Sequence, residues 1–311
     1  MQNNLAFVFP GQGSQSLAML ADFSDHEVVQ NTFSEASDAL GYDLWQLVQQ
    51  GPVEKLNQTN FTQPALLTAS VAIWRLWQAS SSVKPTILAG HSLGEYSALV
   101  CAGVFSLADA VKLVEKRGEF MQASVPAGTG AMYAIIGLAD DKIIEACAQA
   151  AQGEVVSAVN FNSPGQVVIA GNKAAVERAG ELCKEAGAKR ALPLPVSVPS
   201  HCALMKDAAD KLAEELNNIT FNMPNISVVN NVDVAIESSA QAIKTALIKQ
   251  LYSPVRWTET IQYLAQNGVE QVIEAGPGKV LQGLLKRIDK TISCQSVNDS
   301  ASLTKALESV E

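Results

Sequence analysis

The sequence predicts an α/β protein made of a larger domain with a parallel sheet and a smaller domain inserted into it. The first observation is a short apolar run at 86–89 that ends in a glycine and is followed, after Ser92, by a helical pattern; together they predict a buried strand, a sharp turn and a helix. The second is the alternation of strand and helix patterns in both outer parts of the chain. The third is a central stretch in which the order of elements differs. We expect residues 1–128 and 197–311 to form the larger domain and 129–196 the smaller one.

Composition limits the class of protein. The chain has 311 residues, of which 48% are hydrophobic, enough for a substantial core. Its formal net charge of -9 argues against general binding to nucleic acid or to anionic membranes. The five cysteines are scattered and lack CxxC spacing, so neither a disulfide framework nor a zinc site is indicated, and a reducing cytoplasm fits best.

The first strand is expected at Leu5 to Phe9, an apolar run too short for a signal peptide or a membrane span. The loop after it, Pro10-Gly-Gln-Gly-Ser-Gln15, supports two interpretations: backbone N–H groups that face an oxygen anion, or a tight turn. It is not a dinucleotide fingerprint, because the third glycine is absent at the required spacing.

Helical patterns follow over 17–50, with turns at 22–25 and near Gly41, and over 63–78. The apolar residues of the second helix are expected to face a core. They are Leu66, Leu67, Val71, Ile73, Trp74 and Trp77.

The turn after the second strand has the pattern Gly-x-Ser-x-Gly, formed by Gly90, Ser92 and Gly94. Small residues on both sides of a serine allow the strained backbone of a nucleophile elbow, which would expose Ser92 at the carboxyl end of the strand. Ser92 is therefore the candidate nucleophile.

Arg117 falls on the apolar side of the next helix, which we expect to begin near Leu107 with Ser106 as its N-cap. A guanidinium cannot lose its charge and is costly to bury unpaired. Arg117 therefore needs an anion, and the sequence leaves open whether this is a protein carboxylate or a bound ligand.

The central stretch has the element order βαββαβ, which is the ferredoxin-like arrangement. Strands are expected at 131–137, 155–160, 166–171 and 189–196, and helices at 140–151 and 173–187. The chain should cross between the domains at 128–130 and 193–199.

Histidine is the usual general base for a serine nucleophile, and the chain has only three. His26 lies among polar residues and should be exposed, whereas the side chain of His91 should point away from that of its neighbour Ser92. His201 remains as the candidate base. Its neighbour Cys202 is a poor candidate for a thiol nucleophile, because no elbow or basic helix terminus surrounds it.

The C-terminal part returns to α/β alternation. Helices are expected at 205–217, 241–251 and 258–267, strands at 226–230 and 271–274, and a last helix that opens at the turn 275–279 and runs to Ile288. The turn Ala275-Gly-Pro-Gly-Lys279 only superficially resembles a phosphate loop, because its spacing is wrong and no Ser or Thr follows the lysine.

Six motifs occur together, in order, along nearly the whole chain, and through them the sequence closely resembles the malonyl-CoA:acyl carrier protein transacylases of bacterial fatty acid synthesis. More distantly it resembles the acyltransferase domains of polyketide synthases. The motifs are Phe9-Pro-Gly-Gln-Gly-Ser-Gln15, Gly90-His-Ser-Leu-Gly-Glu95, Arg117, Asn160-Phe-Asn-Ser-Pro-Gly-Gln166, Val198-Pro-Ser-His201 and Glu274-Ala-Gly-Pro-Gly278.

The resemblance implies an α/β-hydrolase-like larger domain and a ping-pong transfer of malonyl from malonyl-CoA to the pantetheine thiol of acyl carrier protein. Ser92 would be the nucleophile, His201 the base and acid, and Arg117 the partner of the malonyl carboxylate. It further implies backbone roles and substrate contacts. Backbone N–H groups of Gln12 and Leu93 would form the oxyanion hole, the main-chain carbonyl of Gln250 would orient His201, and Asn162, Gln166 and Arg190 would contact coenzyme A. No cofactor, metal, nucleic acid or membrane is implied, and we expect a monomer.

Two other classes of function remain open. A serine thioesterase or other hydrolase acting on acyl-CoA would share the elbow and the base, but it would not need Arg117. A non-catalytic carrier-binding protein would need neither Ser92 nor His201. Selectivity for malonyl over methylmalonyl also stays open, because Ser200 leaves room beside His201.

Overall fold

The computed structural model describes residues 4–196 and 198–310 and contains one parallel and one antiparallel β-sheet, each packed with helices. The protein is therefore of the mixed α/β class that the sequence predicts. No helix in these two ranges is long and apolar enough to cross a membrane. Residues 1, 197 and 311, at which predicted domain boundaries fall, lie outside the described residues.

The elements before the central stretch belong to the parallel sheet and its helices. They are β1 (Leu5–Phe9), α1 (Glu27–Leu40), α2 (Leu44–Gln50), α3 (Val53–Leu56), α4 (Thr59–Ser80), β2 (Ile87–Gly90), α5 (Leu93–Cys101) and α6 (Leu107–Ala123), with a 3-10 helix at Ala21–Phe23.

The central stretch supplies the antiparallel sheet, and its elements follow the predicted order. They are β3 (Gly130–Ile136), α7 (Asp140–Ala151), β4 (Val156–Ser163), β5 (Gln166–Asn172), α8 (Lys173–Glu185) and β6 (Arg190–Pro193). The sheet order is β4-β5-β3-β6. The last strand is shorter than predicted, and the crossing after it includes Ser197, which lies outside the described residues.

The remaining elements complete the parallel sheet. They are α9 (Lys206–Asn217), β7 (Ser227–Val229), α10 (Ala240–Gln250), α11 (Trp257–Gln266), β8 (Gln271–Ala275), α12 (Val280–Ile288), β9 (Ser293–Val297) and α13 (Ser300–Glu308), with a 3-10 helix at Ala203–Met205. The sheet order is β7-β2-β1-β8-β9, and all neighbours are parallel.

The register of the two central strands brings two loops together. Phe9, the last residue of β1, pairs with Gly90, the last residue of β2. Because parallel strands end at the same edge of a sheet, the loop at 10–15 and the turn at Ser92 leave the sheet side by side.

The helix α4 lies in the main core, as predicted. Its six expected core residues are each at most 4% exposed. Phe7 of β1 packs edge-to-face against both Trp74 and Trp77 of this helix. Aromatic pairs of this geometry add to the stabilisation that burial alone provides.

The sequence analysis did not predict β9, α3 or α13, and it predicted helix at 17–20, where the chain forms turns. The strand β9, Ser-Cys-Gln-Ser-Val, has no apolar run because it lies at the edge of the sheet and only two of its residues are buried. An edge strand covered on one side needs fewer apolar residues than a central one.

The antiparallel sheet is tied by backbone bonds to the segment before α11. Phe161 N donates to Val255 O at 3.0 Å, and Val255 N donates to Val159 O at 2.8 Å. Thr258 adds a side-chain bond to Phe161 O at 3.0 Å. One flank of the cleft between the two sheets is therefore closed by main-chain pairing.

Candidate active site

Ser92 lies at a sharp turn between β2 and α5, with φ 52° and ψ -108°. The flanking glycines allow this turn. A Cβ atom on Gly90 would lie 1.9 Å from the carbonyl carbon of Gly94, and one on Gly94 would lie 2.0 Å from Phe9 O. Side chains at either position would collide with backbone, so the Gly-x-Ser-x-Gly pattern is a packing requirement of the elbow.

The side chain of Asn231, which follows β7, forms two hydrogen bonds with the backbone of the elbow. Its Oδ1 accepts from Ser92 N–H at 2.7 Å, and its Nδ2 donates to Gly90 O at 2.6 Å. Asn231 is fully buried. Two bonds to the turn offset part of the strain that a positive φ costs a serine, which is on the order of 1–3 kcal/mol.

His201 contacts the candidate nucleophile. Its Nε2 lies 2.8 Å from Ser92 Oγ, and its Nδ1 lies 2.6 Å from the main-chain oxygen of Gln250. A carbonyl can only accept, so Nδ1 carries the proton and Nε2 presents a lone pair to the serine hydroxyl. The structure thus brings together the three residues that the sequence analysis assigned to the nucleophile, the base and its orienting carbonyl.

Burial keeps this imidazole neutral. It lowers the pKa of His201 to about 3, and the nearby charge of Arg117 acts in the same direction, while the bond to Gln250 opposes both. A neutral imidazole is the form that can accept a proton from Ser92.

Arg117 lies beside the same serine. The residue is 2% exposed, and its NH2 lies 3.4 Å from Ser92 Oγ. Its other bonds go to glutamine oxygens: NH1 donates to Gln63 Oε1 at 2.8 Å and NH2 to Gln250 Oε1 at 3.0 Å. Among residues 4–196 and 198–310 no carboxylate forms a salt bridge with Arg117. This geometry favours the ligand interpretation of the buried cation.

The candidate oxyanion donors, Gln12 and Leu93, both line the cavity that contains Ser92, His201 and Arg117. Their backbone N–H groups have no hydrogen-bond partner within the described part of the chain. The cavity has a volume of about 180 Å³. The Gly11 backbone packs so closely on the turn that a Cβ there would lie 2.5 Å from His91 O. The glycine-rich loop is therefore both a tight turn and a wall of the cavity.

The three predicted coenzyme A contacts do not line this cavity. Asn162 Oδ1 lies 2.8 Å from His91 Nε2, so the Asn162 amide forms a hydrogen bond with the side chain of the residue before the nucleophile. Gln166 accepts a hydrogen bond from Arg287, and Arg190 is exposed at the start of β6.

The other two histidines and Cys202 occupy the places that the sequence predicts. His26 is exposed, and the side chain of His91 is turned away from Ser92 toward Asn162. The thiol of Cys202 is buried and donates to Pro199 O at 3.1 Å, and burial raises its pKa to about 11. It is a protonated structural thiol at neutral pH.

Four functional side chains were missed by the sequence analysis because nothing local marks them. They are Gln63, Glu95, Asn231 and the amide of Gln250. Glu95 is 2% exposed, and its Oε2 accepts from Asn231 N–H at 3.0 Å and from Gln250 Nε2 at 2.8 Å. Burial raises the pKa of Glu95 to about 7, although these two bonds and the charge of Arg117 lower it.

The turn at 275–279 is structural, because the N-terminus of α12 is occupied from within the protein. The buried carboxylate of Glu274 accepts from Leu281 N–H at 3.0 Å and from Gln282 N–H at 2.8 Å. In the described part of the chain no group of three metal-ligating side chains is present.

A serine on an elbow, a neutral histidine bonded to it and two unpartnered backbone N–H groups define a serine enzyme that acts on acyl groups. Comparison with known proteins narrows this class. Residues 6–305 match the family model described as acyl transferase domain, and the chain belongs to this family.

The relatives agree with one another. The chain is 65% identical over 304 residues to the malonyl CoA-acyl carrier protein transacylase of Escherichia coli (strain K12), which covers 97% of this chain and 98% of the relative. The crystal structure of an acyl carrier protein S-malonyltransferase from Vibrio cholerae is 68% identical, with a TM-score of 0.96 over 97% of this chain and 99% of that one. A malonyl-transacylase solved in complex with a type II PKS acyl-carrier protein is 65% identical, with a TM-score of 0.97 over 98% and 99%.

Proposed function

We propose that this chain is an acyl carrier protein S-malonyltransferase, which moves malonyl from malonyl-CoA to the phosphopantetheine thiol of acyl carrier protein and so supplies fatty acid biosynthesis. The observation that carries this proposal is the buried guanidinium of Arg117, 3.4 Å from Ser92 Oγ and bonded only to neutral oxygens. A cation so placed suits an acyl group that carries its own carboxylate. The high identity to transacylases supports the same conclusion.

In the first half-reaction, Ser92 Oγ attacks the carbonyl carbon of the malonyl thioester while its proton moves to Nε2 of His201. The oxyanion lies against the backbone N–H groups of Gln12 and Leu93, and the loss of one such donor costs about 3 kcal/mol of transition-state stabilisation. The C–S bond then breaks, and the sulfur of coenzyme A takes the proton from Nε2. The product is malonyl-Ser92 and free coenzyme A.

The second half-reaction reverses the roles. The thiol of the carrier protein's pantetheine arm gives its proton to Nε2 of His201, and the sulfur attacks the ester carbonyl of malonyl-Ser92. The C–O bond breaks, and Ser92 Oγ takes the proton back from the imidazole. The neutral state of His201, held by burial and by the Gln250 carbonyl, lets it serve as base in both halves.

Arg117 has donors to spare for the malonyl carboxylate. Each terminal guanidinium nitrogen carries two N–H groups. Gln63 takes one N–H from NH1, and Gln250 takes one from NH2. One N–H on NH1 therefore remains, and the second N–H of NH2 has only a long contact of 3.4 Å to Ser92 Oγ, so the two nitrogens can together bind a carboxylate.

A serine thioesterase, the alternative function, would use the same serine and histidine. Only the fate of the acyl-enzyme separates the two enzymes, because water instead of a thiol would take the malonyl group. Arg117 has no role in hydrolysis of an uncharged acyl chain, and the relative at 65% identity is a transacylase, so we favour transfer.

We also propose the finer fold assignments. The strand order β4-β5-β3-β6 of the βαββαβ stretch supports a ferredoxin-like smaller domain at 129–196. The parallel sheet with an elbow after β2 supports an α/β-hydrolase-like larger domain formed by 1–128 and 197–311. Five unpaired cysteines support a reducing, cytoplasmic location. We expect Asn162, Gln166 and Arg190 to contact coenzyme A beyond the acyl cavity.

Intact-protein mass spectrometry tests the proposed function. Wild-type protein mixed with malonyl-CoA should gain one malonyl group, and added pantetheinylated carrier protein should then receive it. Release of free malonate before the carrier is added would identify a hydrolase. Absence of any adduct would refute an acyl-serine mechanism.

A further inference from the structure

The side chain of Gln250 bridges two buried charged groups. Its Oε1 accepts from the Arg117 guanidinium at 3.0 Å, and its Nε2 donates to the Glu95 carboxylate at 2.8 Å. Gln250 is fully buried, and its two partners are each 2% exposed. The cation and the carboxylate therefore interact through one amide and not as a direct ion pair.

The chemistry of the partners allows one orientation of this amide. A guanidinium only donates hydrogen bonds, and an ionised carboxylate only accepts them. A Gln250 amide turned by 180° would place NH₂ against the guanidinium of Arg117 and oxygen against Glu95, so two favourable contacts would become two repulsive ones. Ser92 O, which can only accept, and Glu95 in its ionised form both accept from Nε2, and together they fix the amide oxygen on Arg117.

Glu95 is held in place by the elbow helix. It lies in the first turn of α5, three residues after Ser92, and its Oε2 also accepts from Asn231 N–H at 3.0 Å. The Gln250 Nε2 that faces it also donates to Ser92 O at 3.0 Å. One amide therefore links the backbone of the nucleophile to the guanidinium beside it.

Only two oxygens hold the terminal nitrogens of Arg117 at distances of 3.0 Å or less, namely those of Gln63 and Gln250, among the residues that the structure describes. Arg117 Nε has no partner there. Loss of the Gln250 oxygen would leave NH2 with only the long contact to Ser92 Oγ at 3.4 Å, so the guanidinium would be held less firmly in the position that a bound carboxylate needs.

We propose that the Gln250 side chain is a positioning residue for Arg117, that Glu95 and Ser92 O together set its orientation, and that this arrangement determines the preference for acyl groups carrying a carboxylate. This inference rests on the proposed function. It concerns the amide of Gln250, separately from the backbone carbonyl that contacts His201.

Gln250→Met tests the proposal, because methionine has a similar shape, lacks the amide and keeps the backbone carbonyl. The measurements are rates of acyl-enzyme formation with malonyl-CoA and with acetyl-CoA. We expect the KM for malonyl-CoA to rise at least tenfold and the malonyl-to-acetyl ratio of kcat/KM to fall at least fivefold. An unchanged ratio in folded protein would overturn the proposal.

Glu95→Gln tests the orienting step and provides a second variant if Gln250→Met does not fold. A glutamine at 95 can present NH₂ to the Gln250 amide, whose orientation is then set by Ser92 O alone. We expect the malonyl-to-acetyl ratio to fall at least twofold. If the ratio is that of wild type, the role of Glu95 is wrong.

Gln49→Met is the matched control. Gln49 is a partly buried glutamine on α2 whose amide donates to Met19 O at 2.9 Å, away from the cavity. The malonyl-to-acetyl ratio of kcat/KM in the Gln49→Met variant should equal that of wild type. Wild-type protein is measured in parallel. If the wild type forms no malonyl adduct, the proposed function is refuted. If the wild type is malonylated and the Gln250 and Glu95 variants keep its malonyl-to-acetyl ratio, only the present inference is refuted.

Discussion

Ser92 Oγ and His201 Nε2 lie 2.8 Å apart although 109 positions separate the residues in the chain, and both residues have positive φ, 52° and 64°. A positive φ is costly for residues other than glycine and persists only where the surrounding structure enforces it. Asn231 and Gln250 bond the backbone at Ser92, and His201 N–H donates to Leu251 O at 2.9 Å. The fold therefore constrains both partners before substrate binds.

Ser92→Ala should abolish the malonyl adduct, because among residues 4–196 and 198–310 no other hydroxyl lies against His201 Nε2. Intact-protein mass spectrometry after mixing with malonyl-CoA measures this directly. Ser97→Ala is the control, since Ser97 is a buried serine on the same helix whose hydroxyl has no partner among the described residues. An adduct on the Ser92 variant would place the nucleophile elsewhere.

Arg117→Ala should lower kcat/KM for malonyl transfer far more than for acetyl transfer. Removal of one member of a buried, hydrogen-bonded charge pair costs about 2–5 kcal/mol, or roughly 30-fold to several thousand-fold. Arg75→Ala removes a partly buried guanidinium paired with Glu35 at 2.7 Å and should leave the malonyl-to-acetyl ratio unchanged. Equal effects on both substrates in the Arg117 variant would contradict its assigned role.

The rate of acylation should stay nearly constant as the pH falls from 8 to 5. The base works only when neutral, so activity is present above its pKa and is lost as the pH falls through it. With a pKa of about 3, about 99% of His201 is neutral at pH 5, against about 3% for an ordinary value of 6.5. Rapid-quench measurement of the first turnover gives the profile. A half-maximal rate near pH 6.5 would show that the imidazole titrates normally.

Gly94→Ala and Gly283→Ala should have opposite effects on the free energy of unfolding. A Cβ on Gly94 would lie 2.0 Å from Phe9 O, and because backbone cannot yield, we expect a loss of more than about 3 kcal/mol. Gly283 is an exposed residue within α12 with open space at its Cβ position, so alanine should stabilise by about 0.5–1 kcal/mol. Urea denaturation measures both, and a well-folded, fully active Gly94 variant would refute the packing explanation of the elbow.

Glu274→Ala should lower the free energy of unfolding by about 2–3 kcal/mol, because two buried N–H groups of α12 would lose their acceptor. Asp43→Ala removes a comparable but exposed cap, where Asp43 accepts from Gln46 N–H at 2.7 Å, and should cost about 1 kcal/mol. Thermal denaturation compares the two. Equal losses would mean that burial of the Glu274 carboxylate adds nothing.

The sequence predicted Ser92 and Arg117 because each carries a local mark, whereas it predicted His201 as the base by exclusion of His26 and His91. Ser92 lies between glycines, and Arg117 is a charge on an apolar helix face, which the structure places at 2% exposure. The residues that hold them carry no such mark. Asn231 lies 139 positions from Ser92, and Glu95 lies 155 positions from Gln250, so only the assembled fold brings them together.

Element boundaries were also predicted where local sequence features mark them and missed where they depend on the assembled fold. The helix α7 has the predicted bounds, 140–151, because apolar periodicity and flanking residues define them. The edge strand β9 was missed, since its pairing with β8 depends on backbone bonds and not on a run of apolar side chains. The predicted strand at 189–196 is observed only as Arg190–Pro193, although Leu194 N–H still donates to Met132 O at 2.9 Å.

The pairing of Phe9 with Gly90 has a consequence for the precision of catalysis. Gln12 follows one of these strands and Leu93 the other, so the distance between the two candidate anion-binding N–H groups is inherited from the alignment of β1 with β2. A slip of one residue would displace one group by about 3.3 Å, more than the tolerance of a hydrogen bond. The dimensions of this anion site are thus set by the main chain. Substitutions of side chains that line the cavity can therefore leave the spacing of the two N–H groups unchanged.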